Sequence, residues 1–440
     1  MTLSEKNYPL KKTTINMKTI TIIIGIFIIG STAFGQTKTL LVNGYLHKGN
    51  GEVMETAAVG IVDGKISLIK NSNAYTINPS DWDTIIQLNG KHIYPGFIAP
   101  NSTLGLTEID AVRATRDFDE VGTYNPHIRS QIAFNVESKV ISTVRTNGVL
   151  LSQATPRGGS ISGSSSIMKL NGWNWEDATV LKDDGIHLNW PSSVSGGGWW
   201  AEPKPKSANK DYIDQKSKLY DFFELAQAYS KTDKNEKFDI RLESMRNCFK
   251  GDKRVYIHAD ELQQLIDIID FAKQFDLKYP VIVGGYDAHN ITRLLSDAKI
   301  PVMVVRPHSL PENEEDDIDM GYKLPYLLQQ GGVQFCIQNQ GDMEAMNARN
   351  IPFLAGTAMA YGLTEEQAVQ SISLSAARIM GIDKYYGSIE KGKSATLFVS
   401  EGNALDMRTN QIFLGLIDGK FIPISNMQYE LYKKYTEKYK

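Results

Sequence analysis

Hydrophobic positions along most of the chain fall into short runs, separated first by glycine turns and later by longer stretches with helical spacing. From Thr39 the pattern is strand-like: Leu40-Leu41-Val42-Asn43-Gly44, then residues 58–66, where Asp63-Gly64 between two such runs is a hairpin signal. The character changes after Ile93-Tyr94-Pro95-Gly96-Phe97-Ile98. Apolar runs at 148–151, 254–258, 280–283, 301–305 and 333–337 now alternate with segments such as 261–275 and 290–298, whose apolar residues recur at helical spacing. Strands alternating with helices predict an α/β architecture with a parallel sheet, and at this length a (β/α)8 barrel. A last helix is expected over 364–380, after which strand-like runs return at 387–393, 395–399 and 412–416. Both ends of the chain are therefore strand-and-turn segments, expected to form one small β domain beside the barrel. The tail 428–440 reads as a charged, tyrosine-rich helix, and no internal repeat is visible.

Two stretches stand outside this scheme. Residues 171–211 hold five of the six tryptophans (Trp173, Trp175, Trp190, Trp199, Trp200), a triple glycine and Pro203-Lys204-Pro205-Lys206, and read as a long insertion in the barrel. Its aromatics either stack on a ligand ring or pack the insertion onto the body of the protein. At the N-terminus, Lys11, Lys12 and Lys18 precede an apolar run from Ile20 to Gly30, and Ala33-Phe34-Gly35 follows. A basic start, a short apolar stretch and a small-x-small exit are the parts of a secretory leader, and the run is too short for a bilayer span. The expected organisation is a leader over 1–35, β segments over 36–97 and 385–426, a barrel over 98–384 and the terminal helix over 427–440. The mature protein is expected in the periplasm or outside the cell.

Composition narrows the function classes. With 42% hydrophobic and 22% charged residues the chain is an ordinary globular protein rather than a disordered one or a membrane bundle. A net charge of −3 offers no general attraction to nucleic acid or anionic lipid. The two cysteines, Cys248 and Cys336, read as free thiols, since Cys336 sits within the apolar run Val333-Gln334-Phe335-Cys336-Ile337.

Several segments, in order, resemble the amidohydrolase superfamily, in particular its imidazolonepropionase-like and dipeptidase-like branches. They are Leu41-Val42-Asn43-Gly44 and Val62-Asp63-Gly64-Lys65-Ile66 near the start, then Tyr94-Pro95-Gly96-Phe97-Ile98 leading into barrel strand one. Tyr361-Gly362-Leu363-Thr364-Glu365-Glu366-Gln367-Ala368 resembles that family's last helix, and Gly387-Ser388-Ile389-Glu390-Lys391-Gly392-Lys393-Ser394-Ala395 its return to the β domain, where Asp is usual in place of Ser394. The resemblance implies hydrolysis of an amide or cyclic C–N bond by a metal-activated water. It also implies a ligand set: Asp-x-His-x-His ending strand one, His on strands five and six, and Asp on strand eight.

The chain departs from that set. Aligned without gaps, Ala99, Asn101 and Thr103 occupy the strand-one positions, and methyl, amide and hydroxyl groups are poor substitutes for imidazole. His258-Ala259-Asp260 keeps a strand-five histidine as the one doubtful metal ligand, with Asp260 as a substrate contact or base. Glycine stands at strand six in Val283-Gly284-Gly285, and His289 falls in the following helix. Strand eight offers Gln340 by counting along the strand, or Asp342 by counting back from the helix. Lys169 is either a bridging lysine or a solvated one, whereas His127 and His187 fit no ligand position and read as structural.

The glycine-serine stretch 155–166 follows a barrel strand, where ligand loops gather. Arg157, Gly158 and Ser160 in it suit an anionic group, and Asn101 and Thr103 stand as further substrate contacts; a flexible loop is the competing reading. The expected cofactor is none, or a single divalent metal, zinc if one is present. The expected partner is a small molecule or short peptide, with no nucleic acid and no membrane span. A homo-oligomer or a complex with an intact amidohydrolase relative stays open. Two functions compete: an exported C–N hydrolase with a reduced site, and a catalytically inactive binding protein or partner subunit on the same fold.

Overall fold

The computed structural model describes residues 37–199, 202–232, 237–313 and 315–439. The stretch read as a leader, and Trp200, lie outside them. The first five strands are β1 (Lys38–His47), β2 (Val53–Val62), β3 (Lys65–Asn71), β4 (Thr84–Gln87) and β5 (His92–Pro95). The next six are β6 (Phe97–Ser102), β7 (Val149–Ala154), β8 (Ile161–Lys169), β9 (Thr179–Asn189), β10 (Val194–Trp199) and β11 (Glu202–Ala208). The last seven are β12 (Arg254–Ala259), β13 (Pro280–Gly284), β14 (Val302–Val304), β15 (Phe335–Ile337), β16 (Leu397–Ser400), β17 (Ile412–Ile417) and β18 (Lys420–Ile422).

β1–β5 and β16–β18 form one eight-stranded sheet in which β16 pairs antiparallel with β5, so the two chain ends share a small β domain as the sequence pattern implies. The chain leaves this sheet for the barrel within one residue. A Cβ on Gly96 would meet Leu150 at 3.0 Å and Thr396 at 2.9 Å, so only glycine fits where β5 passes into β6.

The second eight-stranded sheet runs β15-β14-β13-β12-β9-β8-β7-β6 and is a nearly closed barrel of the (β/α)8 kind. Alternate residues go to opposite sides, as a pleated strand requires. Ile98, Leu151, Tyr256, Val283, Met303 and Cys336 pack together in one buried cluster. Their neighbours Phe97, Ala99, Leu150, Ile257, Ile282 and Ile337 pack in another, which includes the surrounding helices. Both cysteines are buried free thiols. Among the described residues no helix is long and apolar enough to cross a membrane.

Three expectations need correction. The sheet is not wholly parallel, because β8 runs antiparallel to both β7 and β9. Half of the glycine-serine stretch, 161–166, belongs to this buried strand, and 155–160 is loop. The expected insertion contains a barrel strand, since β9 (Thr179–Asn189) pairs with β12 in parallel, while the β10–β11 hairpin forms a separate sheet. Trp190 packs against Tyr220 and Phe271, which favours packing over ligand stacking for that residue. Finally, the single helix expected over 364–380 is two, Glu365–Ser371 and Leu374–Met380. The break follows from the barrel seam. No ladder joins β15 to β6 among the described residues, and the Ile98 N–H bonds instead to the Ile372 carbonyl at 2.9 Å.

Candidate ligand site at the mouth of the barrel

β6 carries a bulge at its C-terminal end. Ala99 pairs with Ser152 and Ser102 with Ala154, so three steps on one strand match two on the other. Asn101, at φ 49°, takes up the extra residue. Its amide nitrogen donates to Gln340 Oε1 at 2.9 Å and approaches Gln338 Oε1 at 3.5 Å, bridging the seam where the backbone ladder stops. Ala99 belongs to the cluster shared with the helices, so it faces away from this group.

Asn101 is the middle of an unbroken chain of hydrogen bonds. Below it, its backbone N–H donates to Gln153 Oε1 at 2.9 Å, and Gln153 Nε2 donates to Asp184 at 2.9 Å. Asp184 also accepts from Ser165 at 2.7 Å and from the Tyr256 hydroxyl at 2.6 Å. Complete burial raises its carboxyl above the usual range, against the pull of these three donors. Above Asn101, the Arg157 guanidinium donates to the Asn101 side-chain and backbone oxygens, both at 2.9 Å, and to both oxygens of Glu344 at 2.9 and 3.0 Å. Arg157 and Glu344 are both largely buried, with side chains 17% and 11% exposed. The arginine expected to receive an anionic ligand is thus already neutralised by a carboxylate of this chain.

Beside the guanidinium stand two histidines. His187 Nδ1 lies 2.9 Å from His258 Nε2, and the His187 ring stacks on Tyr256 at 4.7 Å. Burial is the main force holding both rings neutral. It lowers His258 to about 3, with Arg157 adding to the effect, and drives His187 well below its usual value. One proton serves the pair, and His187 Nε2 is left buried without a hydrogen-bond partner.

Asp260 sits at the rim, open to solvent on one side and crowded by protein on the others, and its carboxyl is raised to about 6, chiefly by desolvation. It receives the Tyr286 N–H at 3.3 Å. A Cβ on Gly284 would stand 2.4 Å from its Oδ1, so the strand-six glycine is what gives Asp260 its place.

The remaining expected residues scatter. Thr103 is buried with its hydroxyl unpartnered, and Gly158 and Asp342 lie on the surface. Ser160 uses its backbone to hold Thr123 and Asn189. Lys169 pairs with Asp418 at 3.2 Å, on the side of the small sheet. Sequence reasoning read His187 as structural and did not reach Glu344, Gln153 or Asp184. The run Gly185-Ile186-His187-Leu188-Asn189, alternating in polarity, was the available signal for His187 as an inward strand residue.

Among the described residues, the His, Cys, Asp and Glu side chains close enough in threes to share an ion are His47, Glu365 and Glu366, not those of the mouth. The mouth itself does not fit a divalent metal. Its two imidazoles spend one nitrogen each on the other, and a guanidinium occupies the Asn101 oxygen.

The profile of the Amidohydrolase family matches residues 228–422. No curated protein matches the sequence. An amidohydrolase from Thermotoga maritima MSB8 is similar at a TM-score of 0.76 and 22% identity, covering 88% of this chain and 99% of that one. A putative prolidase from Bifidobacterium longum is similar at 0.50 and 13%, covering 91% and 98% of the two chains. An adenosine deaminase from Xanthomonas campestris, solved with bound zinc, is similar at 0.51 and 13%, covering 91% and 97%. At these identities the likeness is one of fold, and it spans nearly the whole chain. The chain is built on the amidohydrolase fold, and from 228 to 422 it carries that family's sequence pattern.

Proposed function

We propose that this chain is an exported, metal-independent member of the amidohydrolase fold, which holds a small amide-bearing molecule or short peptide at the barrel mouth without hydrolysing it. One observation carries the reading: the Arg157 guanidinium, paired with Glu344, occupies the side-chain oxygen of Asn101, the position where the resemblance implies a metal ligand. A metal hydrolase needs about three protein ligands and an open position for water. Here the strand-one positions offer amide and hydroxyl, the strand-six position is glycine, and the two histidines are bonded to each other. Export rests on the leader pattern of residues 1–35 alone. N-terminal sequencing of the secreted protein, expected to begin near Gln36, tests it.

The functional test is a panel of dipeptides and cyclic amides, screened for binding by thermal shift and for hydrolysis with and without added zinc. Binding without turnover is the expected outcome. Zinc-dependent hydrolysis that disappears in His258→Ala would sink the reading. A second reading keeps turnover without a metal and makes Asp260 the general base, favoured by a carboxyl raised to about 6 at the rim. Metal-free hydrolysis abolished by Asp260→Asn would select it.

A further inference from the structure

A different cluster lies away from the mouth, where the end of β1 meets the first turn of the helix Glu365–Ser371. His47 is fully buried there, and its Nδ1 stands 2.6 Å from Glu366 Oε1. The ligating atoms of His47, Glu365 and Glu366 all lie within 4.8 Å of one another. The other oxygen of Glu366 is buried and has no hydrogen-bond partner. Among the described residues neither glutamate pairs with a lysine or an arginine, so two carboxylates face a single imidazole. An ion pair between His47 and Glu366 accounts for one oxygen. It leaves the second desolvated and unmatched, which is costly for a charged group.

The surroundings are already those of a ligating histidine. His47 Nε2 stands 3.0 Å from His92 Nδ1, so an N–H at Nε2 has an acceptor and Nδ1 is the nitrogen turned toward the two carboxylates. The His47 ring is fixed by stacking on Tyr94 at 4.2 Å and 8°. Asn403 donates to Glu365 Oε1 at 3.0 Å and orients that carboxylate. Two of the three donors, His47 and Glu365, therefore have a partner that sets their direction, and these partners come from β5 and from the segment following β16.

We propose that His47, Glu365 and Glu366 bind one divalent transition-metal ion through His47 Nδ1 and an oxygen of each glutamate. One imidazole with two carboxylates suits zinc, with water completing the coordination. The ion ties the small β domain to the helix that closes the barrel seam, and its role is to stabilise that junction.

The test uses the full chain stripped with chelator and titrated with zinc alone, with stoichiometry read by elemental analysis after dialysis. One equivalent is expected in the wild type and in His258→Ala. Glu366→Gln and Glu365→Gln are expected to bind at least about 100-fold more weakly, the upper range for disturbing a metal's support and a lower bound for losing a ligand. Glu365 is half-buried beside Asn403, so its variant tests the site without emptying the core. No zinc in the wild type, or binding as tight as the wild type's in both glutamate variants, overturns the proposal. Zinc lost only in His258→Ala overturns it too and returns the metal to the mouth, which also defeats the proposed function. Zinc lost only in the glutamate variants leaves that function standing.

Discussion

The barrel mouth and the β1 junction hold similar side chains in opposite charge states. At the mouth, two neutral imidazoles stand beside an arginine whose charge is met by one carboxylate. At the junction, one imidazole stands beside two carboxylates, one with a buried oxygen unmatched. Histidines alone do not separate the two, since His92 stands by His47 as His258 does by His187, while a balance of charges points to the junction. The difference teaches that where a cation belongs is decided by what remains uncompensated, since burying an unpaired charge is far more costly than losing a paired one.

The strongest way to break this comparison is to remove the charge that completes the mouth. Arg157→Ala leaves Glu344 buried without its counter-ion. It is expected to destabilise the protein by about 3–5 kcal/mol, the cost of breaking one side of a buried pair. Urea unfolding of Arg157→Ala, Glu344→Gln and the double variant checks it. The double variant should recover much of the loss, and simple additivity would mean that the two side chains do not depend on each other. A smaller effect is expected at Gly284, whose φ of 106° and nearness to Asp260 both resist a side chain. Gly284→Ala should cost about 1–3 kcal/mol. Unchanged stability would show that Asp260 moves aside freely, leaving room at strand six for a ligand the native chain does not have.

Much of the mouth was legible one strand at a time. The run Tyr94-Pro95-Gly96-Phe97-Ile98 marked the passage into β6, and 254–258 matched β12 within a residue, because apolar runs in a parallel barrel are continuous and well bounded. The neighbours of those strands were not legible. β8 reads Ile-Ser-Gly-Ser-Ser-Ser-Ile-Met-Lys, weak in β propensity, and is a strand only because β7 and β9 satisfy its backbone on both sides. β9 carries Asp183, Asp184 and Gly185 in its middle, a turn signal in isolation that tertiary hydrogen bonds override. His187 met His258 only once that strand was placed, since pairing register is a tertiary fact. At the junction, Glu365-Glu366 was visible as part of a helix start, but its approach to His47 spans 319 positions and no local pattern records it.

Tyr256 gives a milder test of how the mouth is founded. Its hydroxyl is one of three donors to Asp184, and Tyr256→Phe removes that donor while keeping the ring stacked on His187. A loss of about 1 kcal/mol in urea unfolding is expected for one net hydrogen bond. A loss well above that would mean that Asp184 relies on this donor to stay charged.

The charge on Asp184 itself decides whether the mouth balances without an ion, and it is readable as a slope against pH. Arg157 and Glu344 cancel and burial holds the two histidines neutral, so Asp184 and the Arg254 that acts on it are the charged groups left beneath the mouth. Burial raises its folded-state value above that of the unfolded chain, while Arg254 and the donors from Tyr256, Ser165 and Gln153 act against the rise. A raised carboxyl means that the folded state binds the proton more tightly than the unfolded one. Its favourable contribution is therefore complete below the ordinary carboxylate value of about 3.8 and is lost as pH rises through the folded value. Asp184→Asn removes the titration and keeps the shape. The stability of the wild type relative to this variant should fall as pH is raised from 4 toward neutrality, measured by urea unfolding at each pH. A difference that grows with pH instead would show a stable carboxylate beneath the mouth. Such a carboxylate would draw its compensation from Arg254 and its three hydrogen-bond donors rather than from an ion, which is where the mouth and the junction differ.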